Sequence, residues 1–294
     1  MWTGIEVLYP LQEFRLQNIF LEDVFVAMSS QVFYLVLPLL IIAAFYWFID
    51  KRQGEIVGVS CVTSMLMAAV VKYGFDQPRP WDLSDRILKV ESANAVGPSL
   101  PSGHTATAVS SYIPAAMFMK RHILSAVLLA ITVLVISSRL ILCVHTPLDI
   151  IAGVAIAVAI LAVTWYSIDW CYGDDRRYMV VNFAYIAVVS VLALISIHVW
   201  NGDSLYILGY VAYFYGMMAG RILDRIYVRY EVPELDVRDR IVRYIAGMAA
   251  AGVLLAIPLA ISPDIGRVVG AFLVMLWIFL IYPRIMMSFP TSGR

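Results

Sequence analysis

Long apolar runs separated by short charged links decide what this chain can fold into. A helix that crosses a bilayer needs about 20 apolar residues. Nine stretches approach that length: residues 32–49, 56–73, 104–119, 123–144, 147–168, 180–200, 205–220, 244–261 and 268–287. Charged clusters such as Asp50-Lys51-Arg52 and Lys120-Arg121-His122 punctuate them. Pro147 opens the fifth stretch, where proline suits the first turn of a helix. Trp47, Tyr73, Trp81, Tyr166, Trp170 and Trp200 fall near run ends, as in an aromatic belt. Only 14% of the residues are charged, against about 25% in soluble domains. The expectation is an all-α fold, a polytopic membrane helical bundle with about nine transmembrane helices.

A net charge of zero supplies no basic field for nucleic acid. Cys61, Cys143 and Cys171 lie in or beside apolar runs and form neither a metal spacing nor a disulfide framework. Residues 1–30 lack the basic and apolar regions of a cleavable leader. Within them Ile5, Leu8, Leu11 and Phe14 recur every third residue among Glu6, Gln12, Glu13 and Arg15. That spacing predicts an amphipathic segment on the membrane, or a helix packed on the bundle, with Pro10 as a point where it would break. Gly216-x3-Gly220, and Ala246-Gly247 with the small residues 249–252, predict close helix packing. The charged connection at 223–240 contains Pro233 and reads as a short interfacial segment.

Lys and Arg set the orientation. The loops at 50–55, 120–122, 169–178 and 221–243, with the C-terminus, share one face and carry fourteen of them. The opposite face carries seven, including Lys72, Arg79 and Arg139. The richer face is expected to be cytoplasmic.

Three polar clusters therefore belong to the outer, cation-poor face. Lys72 and Arg79-Pro80 flank the start of the longest polar connection, residues 74–103. A connection of that length in a tight bundle is usually functional or mobile. Proline biases Arg79 toward an extended backbone. Pro101-Ser102-Gly103-His104 precedes an apolar run; Ser102 can cap the helix, and Gly103 lets backbone approach a ligand. A helix start of this kind binds anions, although a plain proline–glycine turn looks the same. Ser138-Arg139 leads to His145 and Asp149. A buried arginine in lipid costs at least about 2.5–3.5 kcal/mol, so Arg139 either faces a polar cavity or snorkels to the interface. His145 and Asp149 are four apart, on one face if a helix starts near Pro147. A carboxylate on one imidazole nitrogen fixes the tautomer and leaves the other nitrogen to attack; a structural bond would use the same pair. His104, His145 and Asp149 also have the chemistry of a zinc or iron site. Three neighbouring cations oppose a metal ion and favour a phosphate, whose oxygens match arginine forks. His122 and His198 sit at helix ends and read as interfacial.

Lys72-x6-Arg79-Pro80, Pro101-Ser102-Gly103-His104 and Ser138-Arg139-x5-His145-x3-Asp149 together resemble the three-part signature of the type 2 phosphatidic acid phosphatase family, over roughly residues 55–165. The resemblance implies a helical core and phosphate ester hydrolysis without metal or other cofactor. It implies a nucleophile at His145 oriented by Asp149, and a general acid at His104. Lys72, Arg79, Ser102, Gly103 and Arg139 match its phosphate-binding positions. Three segments are then expected: an interfacial segment at 1–30, a phosphatase-like catalytic core at 31–168, and additional transmembrane helices at 169–294. The expected protein is a multi-pass enzyme of the cell inner or plasma membrane. It would hydrolyse a lipid phosphate or pyrophosphate at the extracytoplasmic face through a phosphohistidine. Its partners would be that substrate and membrane lipids, with no nucleic acid and the oligomeric state open. A phosphotransferase using the same phosphohistidine, and a phosphatase of a soluble sugar phosphate, are the alternatives.

Overall fold

The computed structural model describes residues 4–93 and 95–289, and every regular element among them is helical. In chain order these are α1 (Leu8–Gln17), α2 (Ile19–Met28), α3 (Leu37–Ala44), α4 (Lys51–Phe75), α5 (Pro80–Leu83), α6 (Gly103–Phe118), α7 (His122–Ile141), α8 (Pro147–Cys171), α9 (Asp175–His198), α10 (Ser204–Leu223), α11 (Val237–Ile261), α12 (Pro263–Leu276) and α13 (Tyr282–Met286). Single π-helical turns continue α3 on both sides and extend α10 and α12. Among the described residues, seven spans are long and apolar enough to cross a membrane: Ile19–Ile49, Lys51–Leu83, His122–Ile141, Pro147–Cys171, Asp175–His198, Val237–Ile261 and Pro263–Met286. α6, with 16 residues, and α10 are helical but are not among the seven. Nine apolar runs thus become helix, and the spanning count of about nine is an approximation.

The chain divides into two compact units, each discontinuous in sequence. The first joins Met1–Leu39 to Thr63–Val163. Its core sets Ala68 of α4, Ala106 and Val109 of α6 and Ala157 of α8 together, with Ile113, Ile136 and Val154 against them. Small residues at these positions let the helices approach closely. Gly153 of α8 shows how closely: a Cβ there would lie 2.7 Å from the Ser102 carbonyl oxygen and 3.1 Å from Thr105 Cβ.

α1 and α2 pack against α7. Pro10 does not break α1, because it falls in the first turn, where its missing N–H is not needed. Ile5, Leu8 and Leu11 pack with Ile87 and Cys143, as the apolar spacing predicts. Phe14 departs from that pattern and is exposed, while Gln12 and Arg15 are buried. For Gln12 the reason lies in the long connection at 74–103. Gln12 Nε2 donates to the Arg86 carbonyl at 2.8 Å, and Gln12 Oε1 accepts from Leu88 N–H at 2.7 Å. Trp81 packs with both apolar clusters beneath the connection. The connection is pinned by Gln12, a side chain that a purely apolar reading of α1 places outside.

The second unit joins Leu40–Val62 to Thr164–Arg294. A Cβ on Gly216 would strike the Phe272 carbonyl, and one on Gly220 would lie 2.7 Å from Phe279 Cβ. The small-residue motif is therefore used within the chain, where α10 meets α12 and its π-helical extension. Glu55 and Arg221 form a buried ion pair at 2.8 Å. Tyr178 donates to Glu55 at 3.0 Å, and Arg221 donates to Asn182 at 2.8 Å. Connection 223–240 begins with a π-helical turn, and Asp236 then caps α11 by accepting from Asp239 N–H at 2.7 Å.

Candidate active site

The ends of five helices, α4 to α8, carry the three clusters. Lys72 lies in the last turn of α4 and is buried. Its ammonium donates to the carbonyls of Pro98 at 2.6 Å and Ser99 at 3.3 Å. Arg79 has the extended backbone that Pro80 imposes (φ −73°, ψ 159°) and is the N-cap of α5. Its guanidinium donates to Gly97 (2.9 Å), Val96 (2.8 Å) and Val144 (2.8 Å) carbonyls. Gly97 turns the chain there with φ +64°, a conformation that glycine adopts without steric cost. Residues 96–99 thus run past two cations with their carbonyls turned inward.

α7 ends at Ile141, three residues earlier than the apolar run implies. Cys143 adopts φ +54°, which stops the helix in the manner usually left to glycine. Arg139 consequently sits in the last turn of α7, fully buried. Its carbonyl accepts from the N–H groups of Val144 (3.1 Å) and His145 (3.3 Å), which fixes the backbone that carries the histidine. Its guanidinium donates to the Ala93 carbonyl at 3.0 Å, and Arg139 Nε is buried with no hydrogen-bond partner among the described residues.

Pro147 then opens α8. Asp149 Oδ2 accepts from Thr146 N–H at 2.7 Å and lies 3.5 Å from His145 Nδ1. Ser99, which nothing in the sequence singles out, donates to the same Oδ2 at 2.6 Å and stands 3.5 Å from His145 Nδ1. Arg79 Nη1 approaches His145 Nε2 at 3.2 Å and Nδ1 at 3.5 Å. Arginine can only donate, so the nearer nitrogen, Nε2, accepts and the proton of the neutral ring is on Nδ1. Burial pushes His145 well below the usual imidazole range, and Arg79, Lys72, Arg139 and His104 push it further the same way.

Ser102 caps α6: its Oγ accepts from Thr105 N–H at 3.4 Å and from Thr105 Oγ1 at 3.0 Å. Its own N–H donates to the Asp149 carbonyl at 3.0 Å, which ties the start of α6 to α8. Gly103 leaves Tyr34 Oη 3.6 Å from where a Cβ would stand. His104 stacks on Tyr34 with ring centroids 4.4 Å apart. His104 Nε2 is 3.0 Å from the Ser29 carbonyl, and a carbonyl only accepts, so Nε2 carries the proton. The two histidines therefore hold their protons on different ring nitrogens.

All eight residues singled out from the sequence lie in this unit. Lys72, Arg79, Arg139 and His104 all act electrostatically on His145. Ser29, Tyr34, Ser99 and Thr146 escape a sequence reading. Each is an ordinary residue in its stretch, with neither periodic placement nor misplaced charge to mark it. Among the described residues no group of three or more His, Cys, Asp or Glu is arranged to hold a metal ion.

Apolar spanning helices around buried cations and two buried histidines fit a membrane-embedded phosphatase. A family model of the PAP2 superfamily matches residues 54–172. A second, described as PAP2 superfamily phosphatase, transmembrane extension, matches residues 208–294. The two take in more than half of the chain, which belongs to the PAP2 superfamily. The second match reaches the C-terminal helices that the three-part signature leaves outside. Comparison with curated proteins and with solved structures returned no match.

Proposed function

We propose that the chain hydrolyses a lipid phosphate or lipid pyrophosphate at the extracytoplasmic face through a phosphohistidine on His145. One observation carries the reading: Lys72, Arg79 and Arg139 are all buried beside His145 with Asp149 as the carboxylate among them. Uncompensated buried charge is costly, and a bound phosphate supplies the missing negative charge. Arg139 Nε is a buried donor suited to a phosphate oxygen.

In this mechanism the lone pair of His145 Nε2 forms a bond to phosphorus while the ester P–O bond breaks. The bound phosphate favours the imidazolium form of His104, protonated on both ring nitrogens; the leaving oxygen takes its Nε2 proton, displacing the Ser29 carbonyl from it and leaving a neutral ring. Fixed cations meet the charge on the transferring oxygens, the main source of catalysis in such transfers. Water then attacks the phosphohistidine and gives its proton to His104; inorganic phosphate leaves and His145 Nε2 is free again. Apolar spans on the helices that carry the site favour a lipid substrate. The seven-to-fourteen distribution of Lys and Arg favours the outer face.

The test is phosphate release by purified protein in detergent with EDTA, over a panel of lipid phosphates, a lipid pyrophosphate and a soluble sugar phosphate. Release from a lipid that persists in EDTA and is inhibited by vanadate is the expected result. Activity lost in EDTA and restored by magnesium or zinc would overturn the metal-independent mechanism, and release from the sugar phosphate alone would overturn the lipid assignment.

A further inference from the structure

We infer that Ser99 is a positioning residue for the nucleophile, joining Asp149 to His145. The inference rests on the reading of His145 as the attacking group. Asp149 Oδ2 is 3.5 Å from His145 Nδ1, beyond an ordinary hydrogen bond. Ser99 Oγ is also 3.5 Å from that nitrogen, and it donates to Oδ2 at 2.6 Å, a short charge-assisted contact. With its proton committed to the carboxylate, Ser99 Oγ presents a lone pair toward Nδ1–H. Thr146 N–H holds Oδ2 from another side at 2.7 Å. The carboxylate is thus fixed by the hydroxyl and the amide, and the imidazole proton faces two oxygens.

Charge develops on the imidazole as Nε2 bonds to phosphorus. Nδ1–H then becomes a stronger donor, and contacts that are long in the free enzyme tighten. Without the Ser99 hydroxyl, Oδ2 loses a donor and the ring loses an acceptor, so the ring orientation and tautomer that expose Nε2 are less populated. The effect falls on the chemical step. Ser99 also has a backbone role, because its carbonyl accepts from Lys72 and its N–H donates to Gln77 at 2.7 Å. A residue that merely held this loop would act on Lys72, and so on phosphate binding and KM.

Ser99→Ala and Ser99→Thr are compared with wild type in steady state and in rapid-quench formation of the phosphoenzyme. The expected result for Ser99→Ala is a roughly ten- to hundredfold fall in kcat and in the phosphorylation rate, with KM within about twofold, the scale of one hydrogen bond to a charged group. Ser99→Thr restores most of the rate. In an Asp149→Asn background the same Ser99→Ala change costs less than about twofold, because the two residues act together. A raised KM with unchanged kcat, or wild-type kinetics in Ser99→Ala, overturns the inference. Should Ser99→Ala fail to accumulate, Ser99→Thr and Ser99→Val are equal in shape and differ in the hydroxyl. A valine variant at least tenfold slower than the threonine supports the inference, and equal rates overturn it. His145→Ala separates the two readings: full turnover there removes the nucleophile itself, whereas an inactive His145→Ala beside an unimpaired Ser99→Ala removes only the role of Ser99.

Discussion

In the proposed mechanism His145 and His104 divide the chemistry because their surroundings differ. His145 has the Arg79 donor on its Nε2 side and oxygens on its Nδ1 side, which suits the proposed attack by Nε2. His104 gives its Nε2 proton to a carbonyl and has no carboxylate at helical spacing, so it suits proton donation. His104→Ala should slow hydrolysis of alkyl phosphates roughly 10²–10⁴-fold, the worth of general acid help. An aryl phosphate such as p-nitrophenyl phosphate, whose leaving group departs as a stabilised anion, should lose much less; equal losses on both substrates would count against the acid role. The pH dependence follows from the direction of the His145 shift. Its pKa is depressed, so the neutral, attacking form persists below the ordinary imidazole value of about 6.5. The acid limb of kcat/KM, corrected for the ionisation of the substrate, should therefore fall only below that pH. A limb at or above it would contradict the burial argument.

Gly153 shows how an element sets the site. α8 rides so closely on the start of α6 that a Cβ at 153 would press on the Ser102 carbonyl, which is backbone and has no rotamer to yield. Gly153→Ala should lower the thermal midpoint in detergent, by the equivalent of about 1–3 kcal/mol for overpacking, and should reduce kcat as Ser102 and His104 shift. Wild-type kcat and melting would mean that the helices have slack there. The sequence makes some of this arrangement legible and hides the rest. Arg139, His145 and Asp149 stand out because charge within an apolar run demands an explanation. Ser99 does not, since a serine in a polar connection is unremarkable until the fold brings it to a carboxylate. The end of α7 is hidden for another reason: Cys143 takes a left-handed backbone without being glycine, so no composition signal marks the stop. Gln12 and Arg15 mislead in the opposite sense, being polar residues that the fold buries, Gln12 to hold the 74–103 connection.

Across the whole molecule, buried charge serves two purposes. In the second unit Glu55 and Arg221 pair, and Tyr178 and Asn182 complete them, so their charges are spent on structure. Arg221→Met leaves Glu55 buried without its cation and should destabilise the protein by about 3–5 kcal/mol, the cost of breaking a buried pair. A melting point within a degree of wild type would contradict that. In the first unit Lys72, Arg79 and Arg139 stand near Asp149, and in the proposed function a bound phosphate meets their excess charge. Sidedness is a property of the whole chain. Single cysteines placed near Asp85 and near Asp236 should label differently with a membrane-impermeant reagent on intact cells, the first reacting and the second protected. The native Cys61, Cys143 and Cys171 are buried and should add little background. Labelling near Asp236 alone would invert the topology. The central claim is that phosphate passes through His145. Its most direct test is rapid quenching into alkali of enzyme turning over a radiolabelled lipid phosphate, followed by peptide mapping. Label on His145 that disappears in His145→Ala together with turnover is the predicted result; label on His104, or full turnover by His145→Ala, would contradict it.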